Sequence, residues 1–485
     1  MQDNLRTRMG WLHAWIGFVA GLLLFSVFAT GSLAVFDTEL TRWLQPEVPP
    51  QAPPFSPQSL DHTLPTIRAL LQQNEKPFIT LPSIRDPLLR VQHHDGNEFL
   101  TVPFNPQTGE QIPARATAGG TFFYDLHYTM RTGLYGETVI AVTGLALLVT
   151  LGSGIIIHLK GLIPDLLLLR PFAARLRAWL DVHVLASVPF LPFAIMMAYT
   201  GTFIRARTVF PPVSYIASIE GIFTPSPDSR ISKPEPRVVP ALPSLPPLLS
   251  EAEKTLGSQQ TGMILFLPKS VLFLRTDMSG PLLTREHVDF SPIDGHFLRH
   301  VLLPTPVTHT QQIMEGIHYA RWTGPGLRWM YFLSGIMGAI MFASGSIIFL
   351  MKRRKQSGQR IMFRIAEGLT IAAVPGFLLA TLAFFWGNRL LPLSISSRPL
   401  AEVHCFFAVW CISALAGLAF CLFHRALLGW KTQLGLLAFL GTCLLPLDLL
   451  TRPGVSLLHA PTVFGATDLC ALMLGLVSFQ VVRRI

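Results

Sequence analysis

Apolar residues run almost unbroken at eight places along the chain, and polar residues gather between those runs. The runs cover about 14–36, 136–158, 183–203, 328–350, 363–387, 402–423, 433–450 and 462–482. Most approach the ~20 residues a helix needs to cross a hydrocarbon core about 30 Å thick. Only internally hydrogen-bonded segments cross lipid, so the pattern predicts a polytopic α-helical membrane protein with about eight transmembrane helices. The 433–450 run is the shortest. Two long polar segments interrupt the series, at about 37–126 and 204–317. Each opens on prolines (PEVPPQAPP at 46–54, and a series from Pro211 to Pro247), which predicts extended linkers. Each then shows a helix-like run, TLPTIRALLQQ or PPLLSEAEKTL, and strand-like runs such as EFLTVPF and SVLFLRTD. Each closes on a turn: VPFNPQTGEQI at 102–112 and VDFSPIDGHFL at 288–298. One small α+β module is therefore expected in each loop.

The same unit is written twice. His13 aligns with His183, and Thr30-Gly31 with Thr200-Gly201, each Thr standing 17 positions after its His. LHYTMRTG and IHYARWTG align His127 with His318 and Thr132-Gly133 with Thr323-Gly324. Downstream, Gly144 matches Gly335 and Ser153-Gly154 matches Ser344-Gly345. The expected order is a first span (1–36), an outer module (37–126), a second span (127–158), a short loop (159–182) and a third span (183–203). A second outer module (204–317) and a fourth span (318–351) follow. Residues 352–485 show no third copy and read as an appended block of four helices. A parallel repeat implies a pseudo-two-fold axis along the membrane normal.

Charge adds orientation. Half of the 485 residues are hydrophobic and 14% are charged, well below the ~25% charge of an average soluble domain. The net charge of +10 is carried largely by loops on one side. Arg6 and Arg8 precede the first span; Lys160, Arg170, Arg175 and Arg177 follow the second; Lys352 to Lys355, Arg360 and Arg364 follow the fourth. Arg425, Lys431, Arg483 and Arg484 continue the series. The positive-inside rule then puts both termini in the cytoplasm and the long loops on the outer side, and no nucleic-acid partner is implied. The first apolar run is longer than a signal-peptide core, so an uncleaved helix is expected. All five cysteines lie in the last four spans, so the outer loops are not disulfide scaffolds.

The repeated histidines are the candidate chemistry. Seventeen residues of helix rise about 25 Å, which puts His13 and His183 at the cytoplasmic ends of their spans. His127 and His318 precede their spans at the outer ends. The pseudo-two-fold axis pairs His13 with His183 and His127 with His318. Two neutral imidazoles facing each other across a bundle hold a six-coordinate haem iron, and two such sites would carry an electron across the bilayer. The bland alternative is interfacial histidines copied by duplication. The Gly and Thr positions read either as ordinary helix packing or as room for a macrocycle. Arg131 and Arg321, four and three residues after their histidines, are candidates for haem propionates or for interfacial snorkelling. His158 is a weaker candidate ligand. His404, Cys405 and His424, and His93, His94, His296 and His300 in the loops, read more simply as interfacial or solvated residues.

These stretches also resemble a known family. LHAWIGFVAGLLLFSVFATGSLAVFDTEL, LHYTMRTG, DVHVLASVPFLPFAIMMAYTG and IHYARWTG, with the spans that follow, resemble the four helices of the PepSY-associated transmembrane family. The loops, with NPQTGEQI and SPIDGHFL, are similar to PepSY domains. The resemblance covers about 8–355 and departs from the family pattern at Ala14, where an Arg often follows the first His. It implies two b-type haems held by His13, His183, His127 and His318, and reduction of a ferric siderophore in the periplasm. A cytoplasmic or quinol electron donor is then needed. No convincing dinucleotide-binding motif occurs, and no acid–base dyad is found or needed. Two other readings stand: a siderophore or metal transport component, disfavoured by the scarcity of charges within the spans beyond Glu367 and Asp448, and a non-enzymatic scaffold or sensor.

Overall fold

The computed structural model describes residues 5–94, 96, 98–158, 169–206, 210, 241–302, 305–452 and 462–485. Lys160 and most of the second proline-rich linker fall outside them. Among these described residues, seven helices are long and apolar enough to cross a membrane, or eight spans if a bent pair counts as one. They are α1 (Leu5–Ala34), α5 (Leu134–His158), the pair α6 (Arg175–Ser187) and α7 (Leu191–Ile204), and α10 (Pro325–Ser357). The C-terminal block adds α11 (Ile361–Ile371) running into α12 (Phe377–Leu390), then α13 (Arg398–Leu422), α14 (Ala426–Thr451) and α15 (Thr462–Arg484). The shortest apolar run of the sequence thus belongs to a helix of 26 residues.

The third span is bent by 63° between α6 and α7. Pro189 lies in the break and Pro192 just beyond it, and each removes a backbone donor and clashes with the preceding turn. His183 and Thr200-Gly201 therefore sit on different halves of a broken helix, not on one straight rod. At the bundle centre α1 packs on α10, α5 on α1, and α6 on α10. Close approach depends on glycine: a Cβ at Gly338 would stand 2.1 Å from the Phe28 ring, and one at Gly335 would stand 2.3 Å from Ser32 Oγ.

The two polar segments do not form two separate modules. The first supplies α3 (Leu64–Gln72) and strands β1 (Phe78–Thr80), β2 (Leu89–His94) and β3 (Phe99–Phe104). The second supplies α8 (Leu245–Leu256), β4 (Thr261–Leu267), β5 (Ser270–Arg275), β6 (His287–Phe290) and β7 (Phe297–Val301). All seven strands form one antiparallel sheet in the order β3-β2-β1-β4-β5-β6-β7. The seam pairs Phe78 with Leu265, Ile79 with Ile264 and Thr80 with Met263. Each half alone would leave a bare strand edge, and pairing covers both. α3 and α8 share one apolar core beneath the sheet, with Ile67, Ile79, Leu245 and Ile264 fully buried. The turns read from the sequence are present, with Gly109 and Gly295 at φ +75° and +74°.

Three more helices join sheet to bundle: α2 (Asp37–Trp43), α4 (Thr121–Thr129) and α9 (Pro306–Tyr319). Arg85, on the β1–β2 loop, reaches Glu39 at 2.6 Å and Asp37 at 2.8 Å, and Arg328 of α10 reaches Glu39 at 2.6 Å. This buried ion cluster fastens the sheet to one end of the bundle, called the sheet end below; the other is the far end.

Candidate functional site

Each predicted histidine pair is brought together. His127 on α4 faces His318 on α9 at the sheet end, with ring centroids 6.2 Å apart and planes at 35°. His13 on α1 faces His183 on α6 at the far end, with centroids 6.3 Å apart and planes at 80°. Two imidazoles sharing one metal ion through Nε2 at about 2.0 Å each, with about 1.1 Å from nitrogen to ring centre, stand about 6 Å apart. Both pairs match that separation.

The other ring nitrogens are already committed. His13 Nδ1 donates to Thr150 O at 3.0 Å, His127 Nδ1 to Val27 O at 2.8 Å and His183 Nδ1 to Met341 O at 2.9 Å. A carbonyl only accepts, so the proton is on Nδ1 and Nε2 keeps its lone pair. His318 Nδ1 meets Thr200 Oγ1 at 2.9 Å. Thr200 gives its own hydroxyl proton to Met196 O at 2.7 Å, so it accepts from His318. All four rings thus carry the second contact typical of metal-ligating histidines.

Four repeated glycines complete the seats. A Cβ at Gly31 would lie 2.9 Å from His127 Cε1, and one at Gly201 would lie 3.0 Å from His318 Cε1. A Cβ at Gly154 would lie 3.1 Å from His13 Cε1, and one at Gly345 3.2 Å from His183 Cε1. Sequence alone left these glycines between packing and cofactor clearance; they make room for the imidazoles themselves. Val27, which holds His127, lies 14 residues beyond His13 on α1, so the pairs are about 21 Å apart along that helix.

A cavity surrounds the sheet-end pair. Its volume is about 140 Å³. Leu24, Leu147, Phe193 and Met197 make it apolar, while Arg205, Arg321, Tyr124, Tyr128 and Tyr319 give it polar groups. Thr202 Oγ1 lines it too, buried with no hydrogen-bond partner. A flat apolar group carrying acidic substituents fits this lining.

Arg321 is among the lining residues, but Arg131 is not. Arg131 pairs with Glu98, because α4 stops at Thr129 and Met130 and Arg131 both take left-handed backbone (φ 50° and 57°). The helical spacing that would have put Arg131 on the His127 face does not extend that far. Arg321 contacts Asp277 at 3.0 Å and Asp37 at 3.6 Å. Burial alone would raise the Asp37 carboxyl, but the guanidiniums of Arg85 and Arg321 outweigh it and hold it below the usual range. Arg205, just past α7, was not singled out by sequence; it pairs with Glu137 at 3.1 Å and lies over Tyr128. The repeated Tyr128 and Tyr319 were visible beside their histidines, but nothing local gave them a role.

At the far end, His158 ends α5 and Lys352 lies in the last part of α10. The remaining histidines are not gathered. His404 and His424 lie near opposite ends of α13, while His93 meets Glu75, His296 meets Asp294 and His300 meets Glu286. Among the described residues, no cluster of three or more His, Cys, Asp or Glu side chains could hold a metal.

A family model described as the PepSY-associated TM region matches residues 10–352. The chain belongs to this PepSY-associated family. The match takes in all four paired histidines and their glycines, and it ends within α10, before the C-terminal block. A search of curated proteins found no match to this PepSY-associated chain.

Proposed function

We propose that each histidine pair holds one haem b, and that the protein reduces a ferric siderophore on the sheet side of a bacterial inner membrane. Electrons come from the cytoplasm or from quinol. One observation carries this reading: four repeat-related imidazoles face each other in two pairs at 6.2 and 6.3 Å, each with Nδ1 already hydrogen-bonded. Bound there, the haems supply one-electron transfer across the bilayer to Fe(III), which siderophores release more readily as Fe(II).

The chain's own work is positioning. Thr150, Val27, Met341 and Thr200 fix ring orientation and tautomer, and Gly31, Gly154, Gly201 and Gly345 let the rings sit close to the helices. Arg205 and Arg321 are the cations lining the sheet-end cavity, and each also pairs with carboxylates of the chain. Arg6, Arg8, Arg353, Arg354, Arg483 and Arg484 at the far end support a cytoplasmic assignment for that end, and so a periplasmic one for the sheet.

The test is a reduced-minus-oxidised absorption spectrum of the detergent-purified protein, with haem counted per chain. Six-coordinate b-type bands and about two haems are expected, one per bis-histidine site. His13→Ala and His127→Ala should each remove about one of the two. A haem-free protein, after expression with ample haem, overturns the reading.

A further inference from the structure

The C-terminal block lies almost wholly outside the family match, yet it grips the segment that leads into α4. Glu402 of α13 is fully buried. Its Oε2 accepts from Thr117 Oγ1 at 2.7 Å and from the Ala118 amide at 3.0 Å. Its Oε1 accepts from Asn388 Nδ2 at 2.7 Å and from Arg398. Arg398 also donates to Ala116 O at 2.8 Å, and Arg115 donates to Asn388 O at 2.6 Å. Four consecutive residues, 115 to 118, are thus tied to α12 and α13.

The grip continues into α4. Phe122 stacks on Phe384 at 4.7 Å and meets Phe406 at 5.1 Å, and Phe123 meets Phe384 at 5.3 Å and Phe385 at 5.7 Å. His127 follows Phe123 by one helical turn. The segment also presses on α2, where a Cβ at Gly120 would stand 2.1 Å from Asp37 O.

The repeat-related helix α9 is held by other means. Gln312 O accepts from the Leu283 amide at 3.2 Å, Gly316 lies against Pro281 O, and Ile317 O accepts from Tyr331 at 2.7 Å. The two histidines of the sheet-end pair therefore rest on different foundations. Beyond their contacts with α1 and α7, His318 leans on the second polar segment and α10, and the helix carrying His127 leans on the C-terminal block.

We infer that the C-terminal block sets the pose of His127 through Glu402 as the positioning residue, so that this contact tunes the sheet-end pair and leaves the far-end pair alone. This rests on the haem reading above for its spectroscopic consequence, but the anchoring can be measured without it. The full-length protein is compared as wild type, Glu402→Ala and Glu402→Gln, by electron paramagnetic resonance during a redox titration. Deuterium uptake is measured in parallel on peptides covering 117–130 and 306–320.

Signals are assigned with His127→Ala and His13→Ala. Glu402→Ala should perturb the His127-dependent signal, with haem at that site held about tenfold more weakly, as for loss of other second-shell supports. The His13-dependent signal should not move. Glu402→Gln keeps an oxygen for Thr117 and Ala118 and should recover part of the loss. If both signals change alike, or neither changes, the proposal is overturned. If the wild type carries no haem, the function above fails and uptake alone decides. A rise confined to 117–130 then supports the anchoring; a rise in both peptides or in neither overturns it. Should Glu402→Ala fail to accumulate, Thr117→Val removes one donor from the other side of the contact and is read the same way.

Discussion

At the residue scale, the seating of each imidazole against a glycine makes a sharp prediction. Gly31→Val brings a branched side chain to a point where even a Cβ would be 2.9 Å from the His127 ring. Haem content should fall from about two per chain to about one, with the far-end site kept. Gly154→Val should do the converse through His13. The pairing angles predict a second observable. Ligand planes at 35° and at 80° impose different anisotropy on low-spin ferric iron, so two distinct resonance signals are expected, and one signal for both sites would contradict the geometry. Asp37 carries a pH dependence. Its carboxyl is depressed in the folded protein by Arg85 and Arg321, so its stabilisation is full above the unfolded value near ~3.9 and is lost as pH falls through the lower folded value. Asp37→Asn should remove that acid limb and cost about 3 kcal/mol at neutral pH, since it strips one partner from a buried ion cluster. Acid titration of thermal unfolding, variant against parent, checks both.

At the scale of elements, much was legible and the failures have physical causes. Long apolar runs announce spans without help from the rest of the chain, so the number and order of membrane helices could be read directly. The histidine pairs could be read because the repeat fixes an axis, and an axis fixes partners. The bend in the third span is encoded by Pro189 and Pro192, but the unbroken apolar run from 183 to 203 masks it. Arg131 was misplaced because a helix end, marked only by left-handed backbone at Met130, has no sharp signature in Tyr-Thr-Met-Arg. The β1–β4 seam was not legible at all: it joins residues about 185 positions apart, and no local pattern encodes such a partner. Ile264→Ala should test it, costing about 2–4 kcal/mol from a fully buried site and loosening both halves of the sheet together in hydrogen exchange. Loosening of the second half alone would mean the seam is weak.

For the whole molecule, the proposed route needs both pairs. In proteoliposomes loaded with a reductant, the wild type should reduce an external ferric chelate, and His13→Ala should slow that by more than about tenfold although the sheet-end site survives. Equal rates would mean that electrons enter from the sheet side and that the far-end pair is not on the path. The C-terminal block was legible as four helices, but its attachment to residues 115–118 was not, because those contacts link positions nearly three hundred apart.

The seam between the two halves of the sheet has a consequence of its own. Ile79 and Ile264 lie opposite each other in an antiparallel register that reads the same from either side. A chain of half the length, holding a single unit, could therefore meet its twin across this joint and build the same two histidine pairs from identical subunits. In such a twin, every improvement to one imidazole would be imposed on its mate. Joining the halves into one polypeptide lifts that constraint: His127 can lean on Phe123 and the helices behind it while His318 leans elsewhere, and the two ligands of one site are free to evolve apart.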